Sequence, residues 1–206
     1  MVTLLGRFCR LERLNPAHHA ASLWQANSLD QGGQNFTYLF TEPFASEADY
    51  TAWLRDAGLS EDYLFYAIID QVLGRAVGVA SYLRIEPAHG CIEVGNINYA
   101  PLLQRRPAAT EAMYLMLRHA FDDLGYRRYE WKCDALNAPS RAAALRLGFT
   151  FEGIFRQAIV TKGRNRDTAW FAIIDSDWPA LRARFEAWLR PENFSASGEQ
   201  LTRLGA

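Results

Sequence analysis

The stretch Gln104-Arg105-Arg106-Pro107-Ala108-Ala109-Thr110-Glu111-Ala112 puts two arginines and a proline where an apolar helical pattern begins. The first turn of a helix carries unpaired backbone N–H groups and a partial positive charge, and so attracts anions, phosphates above all. Arginine forks beside it add charge-assisted donors suited to a diphosphate. The plainer alternative is a well-started helix with a solvated basic turn, because proline is favoured in a first turn and charge runs commonly face water. Glu93, between Ile92 and Val94 in a strand pattern, is the candidate general base; partial burial would raise its proton affinity. It could equally be an exposed strand carboxylate. Ser140, three residues after Asn137, offers a hydroxyl to a ligand or a leaving group, or is simply the third residue of a helix capped by Asn137.

These residues need elements to hold them. Alternation over Arg7–Leu14 predicts a first strand, and Asn15-Pro16 starts a helix to about Ala26. Ser28–Glu42 reads as a loop that still carries Phe36, Tyr38 and Phe40 at period two. Ser46-Glu47-Ala48-Asp49 resembles a capping box and predicts a second helix. Strands follow over Tyr63–Asp70, Ala76–Ile85 and Cys91–Tyr99. Met113, Met116, Leu117, Ala120, Phe121 and Leu124 form a broad apolar helical stripe that Gly125 ends. His119 falls on the opposite face, where it is expected to meet solvent. Arg127–Cys133 predicts a strand, Asn137–Leu147 a helix, and Thr150–Thr161 with Asp167–Ile174 a hairpin turning at Lys162-Gly163-Arg164-Asn165. Trp178, Leu181, Phe185, Trp188 and Leu189 give a last helix.

This order predicts an α/β (α+β mixed) fold. Its centre is a mixed, mostly antiparallel twisted sheet of about seven strands with helices on both faces. Residues 1–190 form one domain and 191–206 a polar, loose C-terminal tail. A ligand in such a sheet sits where strand pairing changes, and the strand before the basic loop ends near Pro101.

Composition narrows the function. The 206 residues are 50% hydrophobic and carry 22 Lys+Arg against 23 Asp+Glu, a net charge of -1. That balance gives no general attraction to nucleic acid or anionic membrane, and no aromatics interleave with the Arg-Arg cluster. Cys9, Cys91 and Cys133 are odd in number and far apart, which argues against a disulfide scaffold and points to a reducing cytoplasm. Met1–Leu5 is followed at once by Arg7, Arg10, Glu12 and Arg13, unlike a signal peptide. No apolar run reaches a membrane span. His18, His19, His89 and His119 have no metal-ligand spacing, and no metal is expected. A nucleophile-elbow serine motif is missing too.

Taken together, four stretches resemble the GNAT superfamily of acyl-CoA-dependent N-acyltransferases, over nearly the whole chain in element order. They are Glu93-Val94-Gly95 through Pro101; Gln104–Ala112; Asn137-Ala138-Pro139-Ser140-Arg141 with Leu147-Gly148-Phe149; and Glu152-Gly153 to Arg156 with Gly163 to Asp167. The last is most like the branch that acetylates N-termini of ribosomal proteins and related small amines. The resemblance implies acetyl-CoA as co-substrate and an amine acceptor. It assigns cofactor contacts to Tyr99, Gln104, Arg105, Arg106, Ala108, Ala109, Thr110, Asn137, Ser140 and Arg141; the positions of Glu93 on the strand feeding the cradle and of Ser140 after Asn137 make them the candidate catalytic base and acid. A backbone N–H around Asn98–Tyr99 would hold the oxyanion if the two central strands splay. On the acceptor side it implies Trp24, Tyr38, Phe40, Asn96 and Trp131, the aromatics reading otherwise as packing. A homodimer is compatible with the chain. An alternative from another class is a silent acyl-CoA-binding sensor, because three positions depart from the pattern. Pro107 replaces the central glycine of the cradle and loses an N–H, Ala144 stands where many members carry a tyrosine acid, and Ile159 stands where some carry a carboxylate.

Overall fold

The computed structural model describes residues 2–205. In chain order the elements are β1 (Leu4–Leu5), β2 (Cys9–Arg13), α1 (Pro16–Asn27), α2 (Glu47–Leu59), β3 (Tyr63–Asp70), β4 (Arg75–Glu86) and β5 (Cys91–Tyr99). Then come α3 (Pro107–Arg118), β6 (Arg128–Asp134), α4 (Ala138–Leu147), β7 (Thr150–Thr161), β8 (Arg164–Ile174) and α5 (Trp178–Trp188). The strands form one sheet in the order β1-β2-β3-β4-β5-β6-β8-β7, and among the described residues only β5 and β6 pair in parallel. The mixed sheet expected from the sequence is present with eight strands rather than about seven. The extra strand, β1, has two residues, too few to show a period.

Strand β3 shows how the two faces are built. Successive side chains on a strand point to opposite faces. Phe65, Ala67 and Ile69 pack with Leu14, Leu23, Tyr50 and Leu54 from the α1–α2 side. Tyr66 and Ile68 pack with Met113, Met116 and Leu117 of α3 and Phe185 of α5. A strand buried on both faces reads as a continuous apolar run, as Leu64–Ile69 does. The helix starts follow their caps: Asn15, Ser46 and Asn137 side chains accept backbone N–H groups at the starts of α1, α2 and α4.

Two expectations are corrected. His119 is buried, its Nδ1 2.7 Å from Asp123 Oδ2 and its ring 6.4 Å from that of Tyr82. The π turn over His119–Asp123 begins at the histidine and does not move it; α3 is buried on that face too, because Ala108, Ala112 and Leu115, at helical spacing before His119, are all buried. The segment after α5, expected to be loose, is docked. Phe194 packs 5.0 Å from Phe8 and 5.2 Å from Trp188, the Trp188 indole donates to Gln200 Oε1 at 3.0 Å, and Leu204 is buried.

Helix α3 is tied to the start of the sheet by a buried carboxylate. Glu111 accepts the backbone N–H groups of Arg7 (2.8 Å), Phe8 (2.6 Å) and Cys9 (2.8 Å). Tyr82, in the middle of β4, donates its hydroxyl to the carbonyl of Met116 at 2.6 Å. The helix whose start matters most for function is thus fixed from two sides.

Candidate active site

Strands β5 and β6 pair only over Cys91–Val94 and Arg128–Trp131. Beyond that point β5 continues to Tyr99 and β6 to Asp134, so the two splay apart. Asn96 sits at φ 49°, and the β4–β5 register slips between Val79 and Ser81. A bulge of this kind bends a strand and ends its pairing on one side. Asn96 Nδ2 donates to Ser81 Oγ at 3.0 Å, which holds the bend. The backbone of Gly95–Tyr99 therefore has no strand partner on its β6 side. Asn98, in the same stretch, keeps a buried Oδ1 without a donor.

The loop after β5 leads directly into α3. Arg106 is its N-cap, Pro107 its first residue, and no side chain caps it. Arg105 and Arg106 are both exposed, with Arg105 in the left-handed region at φ 59°. Ala108 is buried, and the Ala109 N–H donates to the Arg106 carbonyl at 3.1 Å. Gln104 points back from the cradle: its Nε2 donates to Tyr99 O (2.9 Å) and Asn35 Oδ1 (2.7 Å). Tyr99 donates its hydroxyl to the Ala109 carbonyl at 3.3 Å, and burial pushes its phenol well above the ordinary value. Thr110 is buried and accepts from Arg146 Nη2 at 2.8 Å, a link from α3 to α4.

Glu93 is buried, with its side chain only 4% exposed, and is not a free carboxylate. Its Oε2 receives Lys132 Nζ at 2.8 Å and Arg84 Nη1 at 2.7 Å. Lys132 also meets Glu130 Oε2 at 2.7 Å and lies 4.0 Å from the centre of the Trp170 ring. Burial opposes ionisation of Glu130, yet hydrogen bonds from Lys132 and Arg128 hold its carboxyl below the usual range. The sheet face at the splay thus carries a chain of alternating charges, Arg84, Glu93, Lys132, Glu130, Arg128 and Glu152.

Around the start of α4, Asn137 Oδ1 accepts the Ser140 N–H at 3.1 Å, and Ser140 Oγ accepts the Trp131 indole N–H at 3.0 Å. The serine hydroxyl keeps its own proton for another acceptor. Arg141 donates to the Ala135 carbonyl at 3.1 Å and lies 5.8 Å from the Phe151 ring. Ala144, at the position where a tyrosine acid would stand, is fully buried. Of the aromatic residues expected on the acceptor side, Tyr38 and Phe40 reach across to the β6–β8 half of the sheet. Tyr38 donates its hydroxyl to the Leu136 carbonyl at 3.1 Å, and Phe40 covers the Arg166 guanidinium at 5.1 Å. Trp131 is buried on β6. Trp24 does not join them; it packs 6.1 Å from Tyr50 between α1 and α2.

Sequence reasoning passed over Lys132, Arg84 and Arg166. Their signal was parity: Lys132 sits opposite Trp170 in the β6–β8 register, and Arg166 and Thr168 share that face with Trp170. Only the long-range pairing turns parity into a shared site. Among the described residues no group of three His, Cys, Asp or Glu side chains could hold a metal ion, and no helix is long and apolar enough to cross a membrane.

A family model described as "Acetyltransferase (GNAT) domain" matches residues 10–150. Among solved structures, a GCN5-related N-acetyltransferase from Brucella melitensis is 52% identical, covering 98% of this chain and 92% of its own, with a TM-score of 0.96. A probable acetyltransferase of the GNAT family from Chromobacterium violaceum is 40% identical over 86% of this chain and 88% of its own, with a TM-score of 0.80. The ribosomal-protein-serine acetyltransferase of Escherichia coli (strain K12) is 33% identical over 101 residues, 48% of this chain. The match spans 56% of that relative's length.

Proposed function

Because this chain belongs to the GNAT acetyltransferase family, we propose that it moves an acetyl group from acetyl-CoA to a primary amine, on a small molecule or a protein N-terminus. The observation that carries this reading is the β5–β6 splay opening beside the uncapped start of α3. The residues fit the co-substrate. An uncapped helix start with Arg105 and Arg106 suits a diphosphate, and the β6-facing side of the Gly95–Tyr99 backbone with Asn98 Oδ1 suits an amide-bearing arm. Pro107 removes one donor, at a cost of about 1.5–3 kcal/mol for a bond to a charged oxygen, which the two arginines offset. Ala108, Ala109, Thr110, Gln104 and Tyr99 shape the cradle, and Asn137, Ser140 and Arg141 form its far wall.

When bound, acetyl-CoA supplies an activated thioester carbonyl. The chain's part is to deprotonate the amine, hold the oxyanion and protonate the leaving sulfur. Glu93 is the proposed base. With Oε2 taken by Lys132 and Arg84, proton removal falls to Oε1 or to a water on it. A backbone N–H from Asn98–Tyr99 is the proposed oxyanion donor. Ser140, fixed by Trp131, is the proposed donor to sulfur. Asn96, Tyr38 and Phe40 border the acceptor, whereas Trp131, on the face of β6 opposite to Lys132, is turned toward α4 and Ser140. A cytoplasmic enzyme without metal or nucleic-acid partner is the setting that suits this chemistry, with a homodimer open.

Acetyl-CoA at ~100 times its Kd stabilises a binder by about 2.7 kcal/mol. That gain should appear as a raised melting temperature, and Arg105→Ala with Arg106→Ala should remove most of it. No stabilisation by any acyl-CoA would overturn the proposal. The ion pairs on Glu93 and the buried Ala144 favour one second reading, a silent acyl-CoA-binding module. Tight acetyl-CoA binding without CoA release across a panel of amines, unaltered in Glu93→Gln, would select it.

A further inference from the structure

Arg166 is the buried cation that the charge chain leaves out. The residue is 8% exposed, and its Nε is fully enclosed without a hydrogen-bond partner. No carboxylate among the described residues lies within ion-pairing distance of it. The groups whose fields reach it are Asp134, Glu93 and Arg84, and Cys133 besides. Asp134 spends Oδ1 on the Leu136 N–H at 2.8 Å, and Glu93 is shared by Lys132 and Arg84. Lys162, at the tip of the β7–β8 hairpin, is also paired, to Glu42 at 3.1 Å and the Phe36 carbonyl at 2.8 Å. Burial pulls the guanidinium below its ordinary value, with Asp134 opposing, but an arginine stays charged regardless.

A desolvated cation is costly without a partner. Here it lies under Phe40, which is 62% exposed and comes from the loop that closes over the splay. Alternation puts Arg166 on the same sheet face as Thr168 and Trp170, and Trp170 stacks on the Lys132 that holds Glu93. The lone fork and the proposed base therefore look into one cleft.

We infer that the acceptor is an amine that also carries an anionic oxygen group, a carboxylate or a phosphate, and that Arg166 binds this group beneath Phe40. The inference rests on the acetyl-transfer reading for the amine and adds the second charge that the acceptor must bear. The planar fork of Arg166 matches either oxyanion in bidentate fashion. Phe40 excludes water from the pair and stacks on the guanidinium.

The test compares wild type, Arg166→Gln and Arg166→Lys on matched amines with acetyl-CoA. The pairs are 5-aminopentanoate against pentylamine and 3-aminopropyl phosphate against propylamine. The expected result is a higher kcat/KM for the anionic member of one pair, and the better pair identifies the anion. Arg166→Gln should cut that value roughly 10- to 100-fold and shrink the advantage of the anionic amine over its neutral partner by a similar factor, with the acetyl-CoA Kd unchanged. Arg166→Lys should fall between, since it keeps the charge and loses the fork. Equal use of neutral and anionic amines by wild type, or a preference that survives Arg166→Gln, overturns the inference. If no amine turns over, calorimetry with glutarate and inorganic phosphate on the protein alone decides it. Binding to wild type that is lost in Arg166→Gln and weakened in Arg166→Lys upholds the anion site while the acetyl-transfer reading falls; binding that survives Arg166→Gln, or no binding to wild type, sinks the site. Thermal melts of each variant confirm that the comparison is between folded proteins.

Discussion

Replacing Glu111 should damage the protein more than any single change on its surface. The carboxylate takes three backbone N–H groups, from Arg7, Phe8 and Cys9, at 2.6–2.8 Å. Each bond to a charged acceptor contributes about 1.5–3 kcal/mol, and a buried donor left without an acceptor costs about 1–3 kcal/mol. Arg7 is exposed and can recover water, whereas Cys9 is fully buried. Glu111→Ala should therefore lose about 3–5 kcal/mol, near the top of the range for point mutants. At ~2–4 °C per kcal/mol for a chain of this size, the melting temperature should drop by roughly 6–20 °C. Glu111→Gln keeps one acceptor oxygen but turns an NH2 toward a donor, and should lose about half as much. Urea unfolding measures both, and an unchanged slope shows that only stability moved. Gly6 supplies an internal control. A β-carbon there would collide with Glu111 Cδ, so Gly6→Ala should itself destabilise. Removing Glu111 relieves that contact and leaves only the 2.9 Å approach to the Cys9 carbonyl, so the double variant should cost less than the sum of the two. A loss below about 1 kcal/mol for Glu111→Ala, or strict additivity with Gly6→Ala, would refute the reasoning.

Three further outcomes are expected. Arg128 reaches Glu152 through two bonds, of 2.9 and 2.5 Å, and the hydrogen bonding from Arg128 holds the Glu152 carboxyl below the usual range. A depressed carboxylate stabilises the fold above its unfolded pKa of about 4.3 and loses that contribution as pH falls through the folded value. Wild type should then exceed Glu152→Gln in stability at pH 7 and converge with it in acid; a gap that widens on acidification would contradict the pairing. Arg105 stands at φ 59°. Arg105→Gly should gain up to about 1 kcal/mol in stability by relieving that backbone, yet weaken acetyl-CoA about three- to fivefold through the lost charge. Equilibrium unfolding and titration read the two effects separately. Burial pushes the thiols of Cys9 and Cys133 up, and both are buried while Cys91 is partly open. A thiol reagent should modify Cys91 alone in the folded protein and all three cysteines in denaturant, a background that any assay for released CoA must subtract.

The architecture was legible because its signals are local. Ser46 with Asp49 three residues on announced α2, and the side chain of Ser46 does accept the Asp49 N–H. Met113, Met116 and Leu117 announced the buried stripe of α3, and Gly148 closed α4 in the left-handed conformation a helix end favours. The failures have local causes as well. Strand β1 is too short to show a period. His119 is expected in solvent because the pattern shows one apolar stripe, whereas α3 also buries the face that Ala112 and Leu115 share with it. The tail reads as loose because Phe194 and Leu204 are isolated among polar residues, and only the folded surface shows them a pocket.

The functional face was legible as a set of residues, not as a set of partnerships. Glu93 stands out from sequence because it interrupts an apolar strand. Nothing local says that Lys132, 39 positions later, will share its oxygen. That meeting depends on the parallel β5–β6 register, which sets Glu93 opposite Glu130 and so brings Lys132, two residues on, to the same face. The β6–β8 register then adds Trp170 opposite Lys132. A buried carboxylate held by two cations and a buried guanidinium with none are opposite answers to one electrostatic problem on one sheet face. The first is solved within the chain. The second stays open in the chain alone, and the partner that would close it must bring its own negative charge.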